Sequence, residues 1–518
     1  VTQPYTRETL KLSSVAPDLI PQDAPNDVWN DARNVVFQNG ETIRVSGDAP
    51  TLPTAKVPRV AVFLRPLGQG VWLYATEDGI HAHDGTDEFD VTPDAGWSGA
   101  GGIDTTWTAC VLNGIGFINA SDRDPVYWTG NVAERAQPLP DWPAGGRCNA
   151  LRAHKSFLFA VGMLSEGNGS GLRVRWSDAA EAGTVPQEWQ PSADNLAGFI
   201  DLPPATTACR DALTLRDDLL IYKGEGIWSL TFTGGNAVFV ARKRFQSHGI
   251  AATNAVTAGP NDRHLFVADD GDVMLTDGVQ VSSVLEGRAQ RTFYADFTSR
   301  FPATFSATTL MREKLGIVIY PNAASEIGNK ALLFDFESGD IGFRDVPDTL
   351  CAARGQALLD VGELNTWDGD DEAWDDDVTR WNEVLAASSV DDVLIGGAFG
   401  FLLLSDRSSR DFYDGPVQAF MQKSGLAFGG PQARKMVARV WPKVIGRTGD
   451  VLELRIGGQE TTGGPIALSK VLPFTIGQGV PLDVFVQGRF LSLEVVSNGG
   501  APWRMGSIDL EYRPLGAF

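Results

Sequence analysis

The sequence predicts an all-β chain, a β-propeller of about six to seven blades between an N-terminal extension and a C-terminal β-sandwich module. Three observations carry that reading. Short β-branched and aromatic runs alternate with Gly, Asp and Asn turns in a chain holding 57 Gly, 29 Pro and 14 Trp, and long helical periodicity is nearly absent. One strand-then-turn template recurs, at residues 80–85 (IHAHDG), 126–130 (VYWTG) and 273–278 (VMLTDG). Two of its copies follow a second Asp-Gly turn and an apolar strand, which reads as a meander whose turns need glycine at positive φ.

Taken in order, residues 1–55 form the extension, punctuated by Pro and Asn. Residues 56–410 hold the blades, because further meanders stand at residues 212–241, 306–344 and 393–405 and the units recur at about 40 to 50 residues. Stacked sandwiches are the rival reading; they predict the same strands but not the recurrence of one turn grammar. Ring closure is expected from residues 59–65 lying in one sheet with residues 393–404. A short helical stretch at residues 286–297 should turn Phe293 and Phe297 inward. Residues 411–518 alternate apolar and polar at 436–441, 451–456, 482–486, 490–496 and 503–512, as a sandwich module would.

An insertion at about residues 361–389 interrupts the blades. Trp367, Trp374 and Trp381 recur there every seven residues among acidic side chains. A calcium loop started at Asp368 would have Ala373 where glycine is needed and Thr379 where a bidentate Glu is needed, so a solvated acidic loop between sheets is the expectation.

The formal charge of −22 excludes a protein that grips DNA over its whole face. The charge is also uneven. Residues 431–518 carry 10 Lys and Arg against 7 Asp and Glu, a net of +3, which leaves −25 for the rest. Arg434, Lys435, Arg439 and Lys443 fall in an acid-free run (PQARKMVARVWPKVIGR) and are the candidate partner or assembly contact, facing acidic surface on a neighbouring subunit or on another component of an assembly, with a nucleic-acid surface the alternative.

Cys110, Cys148, Cys209 and Cys351 lie far apart without a C-x-x-C pair, which reads as reduced thiols. No 18-residue apolar run and no signal-peptide pattern appear, so no membrane span is expected. Nucleophile elbows, phosphate-binding loops and sialidase-type Asp turns are absent, and His81 with His83 is a metal-like pair lacking a third ligand. The chain is therefore expected to be no enzyme, with no catalytic residue, cofactor or metal.

Four strings resemble the tail nozzle, or tail hub, proteins of short-tailed bacteriophages, also described as packaged-DNA stabilisation proteins. They are residues 29–47 (WNDARNVVFQNGETIRVSG), 174–191 (VRWSDAAEAGTVPQEWQP), 219–235 (LLIYKGEGIWSLTFTGG) and 488–518 (GRFLSLEVVSNGGAPWRMGSIDLEYRPLGAF). The resemblance implies a virion structural protein, made in the host cytoplasm, whose copies form a ring, a hexamer, beneath the tail adaptor and portal. Such a ring surrounds double-stranded DNA without reading its sequence, retains the packaged genome, opens for ejection, and is a place for tail fibres. A carbohydrate-active, glycosidase-like propeller enzyme and a host-surface-binding propeller are the alternatives.

Overall fold

The computed structural model describes residues 4–517 apart from 53, 55, 69, 100, 166–167, 205, 236, 298–299, 301, 357–390, 398–399, 407–410, 413–414, 417 and 499–501. Nearly all of its regular structure is strand, with one α-helix among the described residues, and no helix there is long and apolar enough to cross a membrane.

Five consecutive four-stranded antiparallel sheets follow one another along the chain. Blade one is Val60–Leu64, Val71–Ala75, Ile80–His83 and Glu88–Asp90. Blade two runs from Trp107–Leu112 to Gln137–Pro138, blade three from Ala150–His154 to Gly198–Asp201, blade four from Cys209–Leu215 to Phe239–Phe245, and blade five from Val256–Gly259 to Val281–Ser283. Blades six and seven share a seven-stranded sheet. Its long strand Ile341–Gln356 pairs through its first half with Gly328–Asp335, the outer part of blade six. Its second half pairs with Asp391–Gly397 and so becomes the inner strand of blade seven. Each blade's first strand packs beside the first strand of the next, and Ile341–Gln356 packs beside Val60–Leu64, so seven blades close a ring.

The three template segments are the third strands of blades one, two and five, and Gly85, Gly130 and Gly278 after them take φ of 106°, 93° and 84°. Turn chemistry thus marks the same position in each blade.

Closure differs from expectation. Strand Val60–Leu64 lies in blade one's own sheet, and the strand that completes blade seven is Gly47–Thr51, antiparallel to Gly400–Asp406. The physical reason is position in the blade. An innermost strand is covered by neighbouring blades and takes the apolar VAVFL, whereas a closing edge strand pairs on one side only and tolerates Pro50, while its Asp48 is buried in an ion pair with Arg344.

The helix is Gln290–Asp296, and Phe293 is buried with its ring 5.4 Å from that of Phe297. Its first turn has the Asp18 carboxylate accepting from the N–H groups of Arg291 and Thr292, which ties the N-terminal segment to it.

The two chain ends build two more six-stranded sheets. One holds Leu482–Gly488, Ala433–Gly446, Trp503–Ala517, Glu41–Arg44 and Val35–Gln38 in that order, with Thr6–Leu10 also on Trp503–Ala517. The other holds Ala467–Leu468, Val451–Gln459, Phe490–Asn498, Gln418–Leu426 and Asp31–Arg33, with Leu472–Thr475 also on Val451–Gln459. Strands of the N-terminal extension are therefore woven into both sheets. Buried residues of the two sheets, among them Val437, Leu454, Leu493 and Leu510, join one continuous apolar cluster with Trp29 and with Leu220, Phe266 and Val318 of blades four to six. Trp29 is fixed within it through Nε1, which donates to Thr42 Oγ1 at 3.2 Å, while Thr42 Oγ1 donates to Leu12 O at 2.6 Å.

Candidate functional site

Alternation along Ala433–Gly446 sends Arg439, Trp441, Lys443 and Ile445 to the outer face of the first sheet. Each cation there meets an acid supplied by a neighbouring strand. Arg439 lies 3.1 Å from Asp483 and 3.5 Å from Glu511, which stand opposite it on the two flanking strands. Lys443 reaches Asp509 at 3.1 Å, and the same buried carboxylate accepts from Arg7 and, at 2.6 Å, from Thr9 Oγ1. Burial pushes the Asp509 pKa up, but Thr9, Arg7 and Lys443 outweigh it and hold the carboxyl below its ordinary range. Arg7 also lies over the Trp441 ring, 5.3 Å from its centroid.

The other two predicted residues stand elsewhere. Arg434 pairs with Glu460 at 2.7 Å. Lys435 is buried, and its ammonium donates to the carbonyls of Gly430 and Arg489 at 2.7 and 2.6 Å, with burial lowering its pKa. The four residues therefore do not form one cationic patch. Beside these paired and partly exposed charges the outer face also leaves large apolar side chains in water: Trp441, Ile445 and Phe485 are 37%, 62% and 77% exposed. The acids at 483, 509 and 511 are the residues that sequence reasoning missed. Their signal was the i, i+2 spacing of Asp509 and Glu511 on a strand able to lie beside the basic one.

A second polar centre lies where the inner strands converge. Arg152 of blade three forms a bidentate pair with Asp211 of blade four, at 2.7 and 2.8 Å, and its guanidinium donates to Asn254 Oδ1 at 2.8 Å. Asn254 N–H donates to Asp211, Asn254 Nδ2 donates to Trp107 O of blade two at 2.8 Å, and Ala307 N–H of blade six donates to Asn254 O at 2.7 Å. One asparagine just before blade five thus bonds to four other blades, which only a position near the ring's centre permits. Burial works against the Arg152 charge, but the Asp211 carboxylate outweighs it and holds the guanidinium pKa above its ordinary value. Asp211 is committed to Arg152 and to backbone N–H groups, so it offers no free carboxylate at the axis for proton transfer.

His81 and His83 are buried rather than on an exposed strand face. His81 Nδ1 accepts from the Lys56 ammonium at 3.1 Å, Lys56 pairs with Glu88, and the Tyr74 hydroxyl donates to Glu88 at 2.6 Å. A cation of the protein already sits where a metal would approach Nδ1. Among the described residues no group of three or more His, Cys, Asp or Glu is placed to hold a metal ion. The four cysteines are free, and Cys148, Cys209 and Cys351 are buried. The tryptophan and aspartate insertion, with Trp367, Trp374, Trp381 and Asp375, Asp376 and Asp377, lies outside the described residues.

Fold and sites together define a seven-bladed β-propeller protein with a two-sheet module woven from both chain ends. No protein-family model and no curated protein matches the chain. Among solved structures it is similar to the extracellular domain of a hybrid two-component system of B. thetaiotaomicron, at 8% identity over 91% of this chain and 64% of that one, with a TM-score of 0.44. A second such domain from that organism gives 10% identity, 90% and 63% coverage and a TM-score of 0.39. The WD40 domain of Neurospora crassa Pan2 gives 8% identity, 70% and 94% coverage and a TM-score of 0.38. The chain spans less than two thirds of the length of the two extracellular domains.

Proposed function

We propose that this chain is a structural subunit of a ring, the nozzle at the distal end of a short-tailed bacteriophage's tail, which surrounds the DNA channel, retains the packaged genome and opens for ejection. The resemblance of the four strings supplies the family side of this reading. The observation that carries its assembly side is the outer face of Ala433–Gly446 and Leu482–Gly488, where Trp441, Ile445 and Phe485 stand in water among charges that are already matched. Neighbouring copies would bury those side chains, and large aromatic anchors supply most of the energy of such contacts.

Two further features support it. The Arg152, Asp211 and Asn254 network occupies the centre of the propeller, so DNA would pass through the lumen of the assembled ring and not through the propeller axis. A net charge of −22 per copy repels phosphate where it faces that lumen, letting duplex move without sticking. Adaptor and portal above the ring are the implied partners, and the role needs no cofactor and no catalytic residue.

The contact proposed here is apolar where the sequence suggested a basic strand meeting an acidic neighbour. Arg439 and Lys443 have acids of their own, so they orient a contact at most. Negative-stain images and mass measurement of the purified full chain test the reading. Closed rings are the expected result, lost in Trp441→Ala/Phe485→Ala while the single chains stay folded. Single chains at every concentration, with binding to a glycan array, would overturn it in favour of the carbohydrate-directed propeller.

A further inference from the structure

A cavity of about 640 Å³ opens where blade six meets the strand pair Val35–Gln38 and Glu41–Arg44. Val36, Ile43, Val45, Leu315 and Leu333 make its lining partly apolar. Charged side chains complete the lining, and they come from both sides of the junction. Arg312 and Lys314 stand on the turn between Ser306–Leu310 and Leu315–Tyr320 of blade six, whereas Arg44 and Arg504 come from the two-sheet module.

The acids of the lining are Glu313, Asp335 and Glu337. The Asp335 carboxylate is taken up by its own turn, accepting from the N–H groups of Glu337 and Ser338 at 3.1 and 3.3 Å and from Ser338 Oγ at 2.8 Å. Glu337 pairs with Lys314 at 3.0 Å. Arg504 reaches Glu41 only at 3.6 Å, and Arg312 makes no ion pair among the described residues. Four cations line the cavity against three acids, with Glu41 beside Arg504 as a fourth, so the Arg312 guanidinium is the charge that stands without an ion pair among the described residues.

We infer that this cavity binds a small organic anion, a molecule with an apolar body and a single carboxylate, sulfonate or phosphate group, seated with its charge at Arg312 and Arg504. The volume falls in the range of roughly 300 to 1,000 Å³ usual for small-molecule sites. Guanidinium groups suit oxyanions because their N–H donors form a planar fork. The bland alternative is a solvated cleft whose charges face water. The experiment distinguishes the two, because a ligand held by Arg312 and Arg504 would bridge propeller and module and stabilise the junction, as any ligand of the folded state does. The inference is independent of the ring reading.

The probe is 8-anilinonaphthalene-1-sulfonate, titrated into the full chain and followed by fluorescence. Saturable binding that weakens with salt is expected, with Arg312→Ala and Arg504→Ala each lowering affinity about tenfold and the double variant lowering it further. The Trp441→Ala/Phe485→Ala variant keeps the affinity, because neither of those side chains lines the cavity. A probe-induced rise in unfolding temperature should appear in the wild type and shrink in both arginine variants; their circular dichroism confirms that they fold. Unsaturable binding, unchanged affinity in both arginine variants, or loss of the signal in the aromatic variant would each overturn the site.

Discussion

Asn34 and Asp345 hold each other reciprocally: Asn34 Nδ2 donates to the Asp345 carboxylate at 3.0 Å, and the Asp345 N–H donates to Asn34 Oδ1 at 2.8 Å. The same Nδ2 donates to Gln418 O at 2.8 Å, and the Asn34 N–H donates to Phe343 O at 2.8 Å. One buried side chain thus stitches the outer strand of blade six to both chain ends. Asn34 has φ of 59°, a left-handed conformation that Asn tolerates better than most residues.

Replacing it should separate bonding from backbone strain. Asn34→Ala loses three side-chain hydrogen bonds and adds strain, for a cost of about 2 to 4 kcal/mol. Asn34→Gly loses the same bonds without the strain and should recover about 1 kcal/mol. Thermal unfolding gives the order, and hydrogen exchange at Phe343 and Asp345 localises it. Equal stability of the two variants would refute the strain argument.

The centre of the propeller makes a second comparison. Asp211 and the Arg152 guanidinium are both withdrawn from water, so Asp211→Ala leaves a cation without its counter-charge and should cost about 3 kcal/mol. The double variant Arg152→Met/Asp211→Leu removes both charges and should recover much of that loss, although the Asn254 N–H then lacks its acceptor. Denaturant unfolding of the single and double variants decides it. A double variant no better than Asp211→Ala would show that the network matters more than the pair.

These two sites mark how far the sequence could be read. Gly85, Gly130 and Gly278 identified third strands of blades because a turn at positive φ leaves a residue-level trace. The closing strand Gly47–Thr51 left none, since an edge strand pairing on one side needs neither alternation nor apolar bulk. Blade three carries no such trace because its central strands, Phe157–Ser165 and Asn168–Trp176, are bulged, with Gly162 and Gly171 at positive φ breaking the alternation. The basic strand was readable as a strand. Its neutralising acids were not, because Arg439 and Glu511 meet through pairing and not through sequence neighbourhood. Asn254 carried no signal at all: a single Asn among small residues shows nothing of its bonds to four other blades.

Gly162 should be among the least replaceable positions. It sits at the register shift between Val161 and Met163 with φ of 68°, and a Cβ there would overlap Cys209 O and the Asn149 amide. That amide donates to the same carbonyl at 2.9 Å, so the crowding cannot relax without breaking the bond between blades three and four. Gly162→Ala should cost about 1 to 3 kcal/mol. Gly96, at φ of 79° with open space around it, should accept Asn with little change in unfolding temperature. Equal sensitivity at the two positions would count against the steric account.

Acid should find His264 early. Its Nε2 faces Thr214 O at 2.9 Å and its Nδ1 faces the Tyr222 hydroxyl at 2.8 Å; a carbonyl only accepts, so Nε2 carries the proton and Nδ1 accepts. Burial pushes the His264 pKa down to about 4, and burial also takes His154 to about 4. The folded state then binds fewer protons than the unfolded one, whose histidines titrate near 6.5, so stability is full above that value and falls as pH drops toward 4. Each histidine would contribute on the order of 3 kcal/mol to that fall. His264→Gln should flatten the limb between those pH values whatever it costs at neutrality. Unfolding temperature against pH is the measurement, and an unchanged slope would remove His264 from the account.

Charge reversal at Lys443 should damage the sheet before it affects any partner. Asp509 is buried beneath Arg7, Thr9 and Lys443, and its depressed pKa means that its stabilising contribution is present above the ordinary carboxyl range and is lost as pH falls through the folded value. Lys443→Glu removes one of three donors and sets a second, half-exposed carboxylate against the buried first one. Lys443→Met removes the same donor while keeping the apolar stem against the sheet. The unfolding temperature is therefore expected to fall more for Glu than for Met, with the gap widest at low salt because repulsion is what separates them. Equal falls in both variants, or a gap that ignores salt, would mean that Lys443 contributes by packing and that Asp509 is held by Arg7 and Thr9 alone.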